Sequence, residues 1–311
     1  MATAAVILAG LVSFGWGALA IRRGAAWGYV DVPDDELKPH VVPAVPLGGV
    51  GVFLGVHSAL LVSGNLDGWL LAGTTILLGL GLADDRLDLN PVVRLGVETL
   101  AGIVLGLGAA GASWHAALIA ILVVVAVNAV NLFDGLDGLA AGAGVFAALG
   151  VSWLAMVGLG SPTFGLILAA ALVGFLRWNW HPAHLFLGDN GAYVLGGLLA
   201  YGIASVASGS VELMVEAGIL GVFLLDLVVT VLRRASRGNA LFGGDRMHLY
   251  DRLAAAGLAI PVVVGIAVVT QIALVAVTIL SVSASYPLAV AGAALVLAVG
   301  AAMAAAHRWL P

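Results

Sequence analysis

Cysteine is absent from these 311 residues, so no disulfide framework, thiolate metal site or thiol nucleophile is available. Charge is scarce as well. Asp, Glu, Lys and Arg make up 9% of the chain, where a soluble domain carries about a quarter. That is too little polar material to cover a globule in water, and it offers no basic surface for nucleic acid. Low-complexity linkers, domain boundaries and convincing internal repeats are missing too, so residues 1–311 are expected to form one domain.

What fills the chain is apolar. Hydrophobic residues account for 62% and the mean hydropathy is +1.14. Many apolar runs reach the roughly 17–25 residues a helix needs to cross hydrocarbon. Backbone groups must be satisfied within lipid, so runs of this length imply helices rather than a barrel. The fold class is therefore all-α and polytopic, with about eleven segments over 3–21, 47–64, 68–83, 93–110, 115–132, 138–158, 162–178, 190–207, 211–232, 259–282 and 286–306. The first is read as a span and not a cleaved signal, because Arg22 and Arg23 follow it and no basic residue precedes it.

With eleven spans, all twelve Lys and Arg fall on one face. Positive charge in short loops marks the cytoplasm, which predicts an outside N-terminus, a cytoplasmic C-terminus and a multi-pass plasma-membrane protein. Most of the acids share the basic face, while the other has little beyond Asp67, Glu212 and Glu216. Chemistry is expected at the cytoplasmic face. The 43 glycines suit close helix packing in lipid.

Four clusters carry the candidate chemistry. Asp84-Asp85-Arg86 ends the third segment; adjacent carboxylates at a membrane boundary repel and are desolvated unless a cation neutralises them. A solvated loop is the plainer reading. Asn128, Asn131, Asp134 and Asp137 recur every third residue and form one polar stripe if the fifth helix continues through them. Asp189 follows Phe186-Leu-Gly188 and is either an N-cap of the eighth span or a ligand. Finally, Asp245-Arg246-Met-His248-Leu-Tyr250-Asp251-Arg252 mixes Arg, His and Asp in a way that suits phosphate oxygens. Asp226, inside the ninth span, is a separate candidate because intramembrane acids default to function. Gly48-Gly49-Val-Gly51 lacks the Lys and Ser/Thr of a phosphate loop and is assigned to helix packing, and His57 and His115 to structure.

Carboxylates and amides without Cys suit a hard cation such as Mg²⁺, which keeps waters for substrate phosphates. A lipid phosphate inside the membrane and an activated donor from the cytoplasm form the economical substrate pair for such a site. A cation transporter is the alternative, but it needs acids near the bilayer midplane. A CDP-alcohol phosphotransferase is disfavoured because no Arg follows Asp134-Gly135 at the required spacing.

Taken in order, Asp31-Val-Pro33, Lys38-Pro-His40, Pro46-Leu-Gly48-Gly49, Asp84-Asp85-Arg86, Asn128…Asn131…Asp134-Gly-Leu-Asp137-Gly138, Phe186-Leu-Gly-Asp189 and Asp245-Arg246-Met-His248 resemble the polyprenyl-phosphate N-acetylhexosamine-1-phosphate transferases. Eleven spans resemble the undecaprenyl-phosphate GlcNAc-1-phosphate branch more than the ten-span muramoyl-pentapeptide branch. The resemblance implies a UDP-N-acetylhexosamine donor, most simply UDP-GlcNAc, an undecaprenyl-phosphate acceptor, Mg²⁺ (with Mn²⁺ as a substitute) and UMP as leaving group; it also allows a homodimer. It implies that Asp84, Asp85, Asp134, Asp137 and His248 are catalytic, with Asp84 and Asp85 serving the lipid phosphate and metal. Asp189 becomes the leading metal ligand, with Asp85 beside it. Asn131, Asp134 and Asp137 line the nucleotide side, Phe186 stacks on uracil, and Arg246 with His248 meets the diphosphate or sugar. Lys38, Asn128 and Arg252 complete the substrate-binding set. The chain departs from the family at Leu47, at Ala192, and where a His-x-His-His pattern here reads His248-Leu-Tyr250-Asp251. That last change bears on the sugar.

Overall fold

The computed structural model describes residues 1–30, 44–238 and 247–284. The chain runs α1 (Ala2–Arg23), α2 (Gly48–Ser63), α3 (Gly68–Leu87), α4 (Pro91–Ala110), α5 (Trp114–Phe133), α6 (Leu139–Val157), α7 (Thr163–Asn179), α8 (Gly188–Val206), α9 (Ser210–Glu216), a 3₁₀ turn (Ala217–Leu220), α10 (Gly221–Arg237), α11 (Leu249–Ala255) and α12 (Ile260–Ala284). The described residues are helical throughout, apart from turns and a single parallel bridge between Val45 and Leu185. Helices occur at each of the first ten expected segments; the eleventh, 286–306, lies outside the described residues.

Among the described residues, six helices are long and apolar enough to cross a membrane: Ala2–Arg23, Pro91–Ala110, Trp114–Phe133, Leu139–Val157, Glu212–Arg237 and Ile260–Ser283. Gly48–Ser63 and Thr163–Asn179 are apolar but shorter. Helix α3 carries Asp84, Asp85 and Arg86 in its last turn, and α8 is buried along almost its whole length.

Helix α8 is the centre of the bundle, packed against α2, α3, α5 and α6. Lipid tails are as apolar as Leu, so helices approach in lipid where small residues let backbones touch. A Cβ on Gly49 would stand 2.1 Å from the Cα of Gly191, and one on Gly81 would stand 2.2 Å from the Cα of Asn190. These two contacts draw the starts of α2 and α8 and the end of α3 into one place. The glycine pair after Pro46 thus serves packing.

The segment entering α2 is tied to the one entering α8. Val45 O accepts from Phe186 N at 2.9 Å, Phe186 O from Gly48 N at 2.9 Å and Leu187 O from Gly49 N at 3.1 Å. The helix break before α10 is likewise satisfied. Gln271 of α12 donates to Ile219 O at 2.8 Å and accepts from Val222 N at 2.9 Å, which discharges backbone groups that lipid would leave unpaired.

Candidate active site

The end of α3 delivers two adjacent carboxylates to two different tasks. Asp84 is buried; its Oδ1 accepts from Leu89 N at 2.8 Å, its Oδ2 accepts the Tyr193 hydroxyl, and Arg94 Nη1 of α4 lies 3.3 Å away. Asp85 reaches the start of α8. Its Oδ1 accepts from Asp189 N at 2.9 Å, and its Oδ2 from Asn190 N at 3.2 Å and Asn190 Nδ2 at 2.6 Å. The orphan N–H groups of a helix start need an acceptor, and here a carboxylate from another helix supplies it.

Asp189 is accordingly not the cap of its own helix, and no α8 residue makes a side-chain cap bond there. Its Oδ1 accepts from Asn131 Nδ2 of α5 at 2.6 Å. Asn190 is fully buried, donates also to Pro46 O at 2.7 Å, and its Oδ1 has no hydrogen-bond partner among the described residues.

The polar stripe expected along α5 is interrupted, because the helix ends at Phe133. Asn128 faces the other way and donates to Glu98 Oε2 of α4 and to Val124 O. Asn131 faces Asp189, and Asp134 is the C-cap. Asp137 lies in the turn beyond, where its Oδ2 accepts from Ala183 N at 3.0 Å and meets His181 Nδ1 at 2.8 Å. Gly138 N, with φ of +77°, donates to Asn179 Oδ1 at 3.0 Å, and Asn179 Nδ2 donates to Leu185 O at 3.0 Å. The α5–α6 turn therefore braces the loop that carries Phe186, which is half-buried.

Asp134 keeps some surface open, yet its carboxyl is pushed up to about 8, first by desolvation and then by the charges of Asp189, Asp85 and Asp137. Carboxylates held this close repel one another, and a cation among them would relieve that repulsion. Among the described residues no three Asp, Glu or His side chains form a ready coordination sphere. Mg²⁺ needs only one or two carboxylates when waters and phosphate oxygens complete its shell. Asp189 with Asp85, and Asp134 close by, fits that requirement.

His248 opens α11 and is buried against α10, and Tyr250 of α11 reaches the end of α5. Asp251 Oδ2 accepts from His248 N at 3.3 Å as part of a capping box. Arg252, in the last turn of α11, is partly exposed. Lys38 and Arg246 lie outside the described residues. His57 is satisfied by Phe53 O and Thr74 Oγ1, a structural role.

Sequence reading missed Arg94, Glu98, Asn179, Asn190 and Tyr193. Arg94 counted only toward topology. Glu98, inside the fourth expected span, carries the same intramembrane signal as Asp226, so Asp226 is less isolated than expected. Asn179 and Tyr193 gave no local signal.

The family model for glycosyl transferase family 4 matches residues 68–208, the stretch that holds Asp84, Asp85, Asn131, Asp134, Asp137 and Asp189. The chain is 30% identical over 313 residues, covering 82% of it and 74% of the relative, to the decaprenyl-phosphate N-acetylglucosaminephosphotransferase of Mycolicibacterium smegmatis. It is 32% identical over 228 residues, covering 71% and 72%, to the undecaprenyl-phosphate alpha-N-acetylglucosaminyl 1-phosphate transferase of Thermotoga maritima. A phospho-N-acetylmuramoyl-pentapeptide-transferase of Desulforamulus reducens matches over 119 residues, 37% of this chain, at 34% identity. With its acids gathered where α3, α5 and α8 meet, and with the Mycolicibacterium and Thermotoga relatives matched over most of their length, the chain belongs to glycosyl transferase family 4.

Proposed function

We propose that this protein transfers N-acetylglucosamine 1-phosphate from UDP-GlcNAc to a polyprenyl phosphate such as undecaprenyl phosphate, releasing UMP at the cytoplasmic face of the plasma membrane. The observation that carries the reading is the convergence of Asp85, Asn131, Asp134 and Asp189 at the ends of three helices, together with the activities for which the relatives are named. An oxygen of the lipid phosphate attacks the β-phosphorus of the donor. The bond from that phosphorus to the α,β-bridging oxygen breaks, and the electron pair leaves on UMP. A phosphate monoester has a second pKa of about 6 and is largely ionised at neutral pH, so no general base is required.

Each residue then has a positional or electrostatic task. Asp189 and Asp85 would hold the ion, and Mg²⁺ when bound would screen charge on the transferred phosphoryl group. Asn131 fixes the rotamer of Asp189. Asp137 holds the loop bearing Phe186, against which the uracil stacks. Asp84, engaged by Arg94, Tyr193 and Leu89, orients the end of α3 so that Asp85 is correctly aimed. Eleven spans with a cytoplasmic C-terminus are supported by the one-sided distribution of Lys and Arg.

The test is UMP release by purified protein from UDP-GlcNAc with undecaprenyl phosphate, with and without Mg²⁺ or Mn²⁺. Release that requires both lipid phosphate and the metal supports the proposal. Absence of release across a panel of UDP-N-acetylhexosamines sinks it.

A further inference from the structure

His248 sits where α11 begins, and its imidazole is held on two sides. On one side, Nδ1 lies 2.7 Å from Asp226 Oδ2 and 3.3 Å from Thr230 Oγ1, both on α10. His248, Asp226 and Thr230 are each at most 4% exposed. A carboxylate oxygen accepts, so the Asp226 contact favours the proton on Nδ1. Asp226 lies in a helix long enough to span the membrane, where an unpaired acid is costly; the imidazole offsets that cost. Asp226 Oδ1 has no hydrogen-bond partner among the described residues.

On the other side stands Tyr250, one of the positions at which the chain departs from the triple-histidine pattern. Its ring is stacked on the imidazole at 5.2 Å with planes 11° apart. Its hydroxyl donates to Leu132 O at 2.8 Å, one of the last α5 carbonyls, which have no partner within their own helix. Phe133 meets the Tyr250 ring edge-on at 5.7 Å. A Cβ on Gly135 would come within 2.3 Å of the Tyr250 hydroxyl, so this tyrosine abuts the backbone next to Asp134. Chain segments 118 residues apart are joined there by one side chain.

We propose that Asp226 and Tyr250 are positioning residues that clamp His248, fixing its tautomer and its distance from the Asp134 end of α5 so that Nε2 serves the donor diphosphate. The clamp geometry stands on the contacts above; its catalytic purpose rests on the transferase reading. Each half has a distinct physical job. Asp226 selects which nitrogen is protonated, as a hydrogen-bond partner of a functional histidine does. Tyr250 couples the α11 segment to the acid cluster, a link that glycine at 135 leaves room for.

Two substitutions remove the clamp with little change of volume. Asp226→Asn should lower kcat for UMP release by about 10–100-fold, the usual loss when such a partner is removed, and Asp226→Glu should recover part of it. Tyr250→Phe keeps the stacking ring and deletes one hydrogen bond, which should lower kcat by about 3–10-fold. In both, KM for donor and for lipid phosphate should stay within about twofold of wild type, since uniform binding is untouched. Imidazole ¹⁵N NMR, with the His248 signal assigned through His248→Gln, should report a protonated Nδ1 in the unaltered protein. Kcat preserved in Asp226→Asn and Tyr250→Phe, while His248→Ala loses it, overturns the clamp and leaves the transferase reading standing. If the unaltered protein releases no UMP with any donor, the transferase reading fails instead, and an unprotonated Nδ1 would then overturn the clamp as well. Should Asp226→Asn fail to fold, Tyr250→Phe and the NMR signal decide the matter.

Discussion

Asp85 of α3 accepts the backbone N–H of Asp189 of α8 at 2.9 Å, so one acid of the cluster positions the helix turn that presents another. The cap also takes Asn190 N and Nδ2. Asp85→Asn would set an amide NH₂ against those donors. Capping bonds of this kind are worth about 1 kcal/mol, so Asp85→Asn and Asp85→Ala should both lower the melting temperature and reduce UMP release by about 100-fold or more. Normal turnover in Asp85→Asn would mean that α8 needs no cap from α3.

Asp189→Asn replaces a carboxylate by a near-isostere that Asn131 can still meet. The fold should persist while turnover is abolished. Millimolar Mg²⁺ should raise the melting temperature of the unaltered protein by mass action and that of Asp189→Asn much less. A near-normal rate for Asp189→Asn at ordinary Mg²⁺ would remove this residue from the metal site.

Asp137 behaves differently from its neighbours because its Oδ2 is spent on Ala183 N and His181. Asp137→Asn should therefore destabilise by about 1–2 kcal/mol, discounted for the partial exposure of His181. It should raise KM for the UDP-sugar, through the loop that carries Phe186, more than it lowers kcat. A collapse of kcat at unchanged melting temperature and KM would place Asp137 at the reacting phosphates instead.

Orientation can be read directly, since the chain has no cysteine to interfere. Asp67→Cys, at the start of α3, should react with an impermeant maleimide added to intact cells, and Asp88→Cys, just past its end, should not. The opposite pattern would move the acid cluster to the outer face and contradict the proposed access for a cytoplasmic donor.

Much of this molecule was legible in the residues themselves. Apolar run length determined that helices form at the first ten segments, because lipid gives the backbone no other partner. The order of the Asp-containing motifs determined the family, because the residues within each motif lie within a few positions of one another. Even the packing role of Gly48 and Gly49 followed from what their neighbours lack.

What only the tertiary structure decided is which acid does which job. Asp84 and Asp85 are adjacent and chemically alike, yet one is buried against Arg94 and Tyr193 while the other caps α8. Asn128 and Asn131 are three residues apart and face different helices. His248 meets Asp226 across 22 residues, and Tyr250 meets Leu132 across 118. The physical reason is that a helix in lipid can turn any face toward a neighbour at little hydrophobic cost. The facing is then set by where glycines permit backbone contact, as at Gly49 on Gly191 and Gly81 on Asn190, and that contact exists only once the bundle has formed.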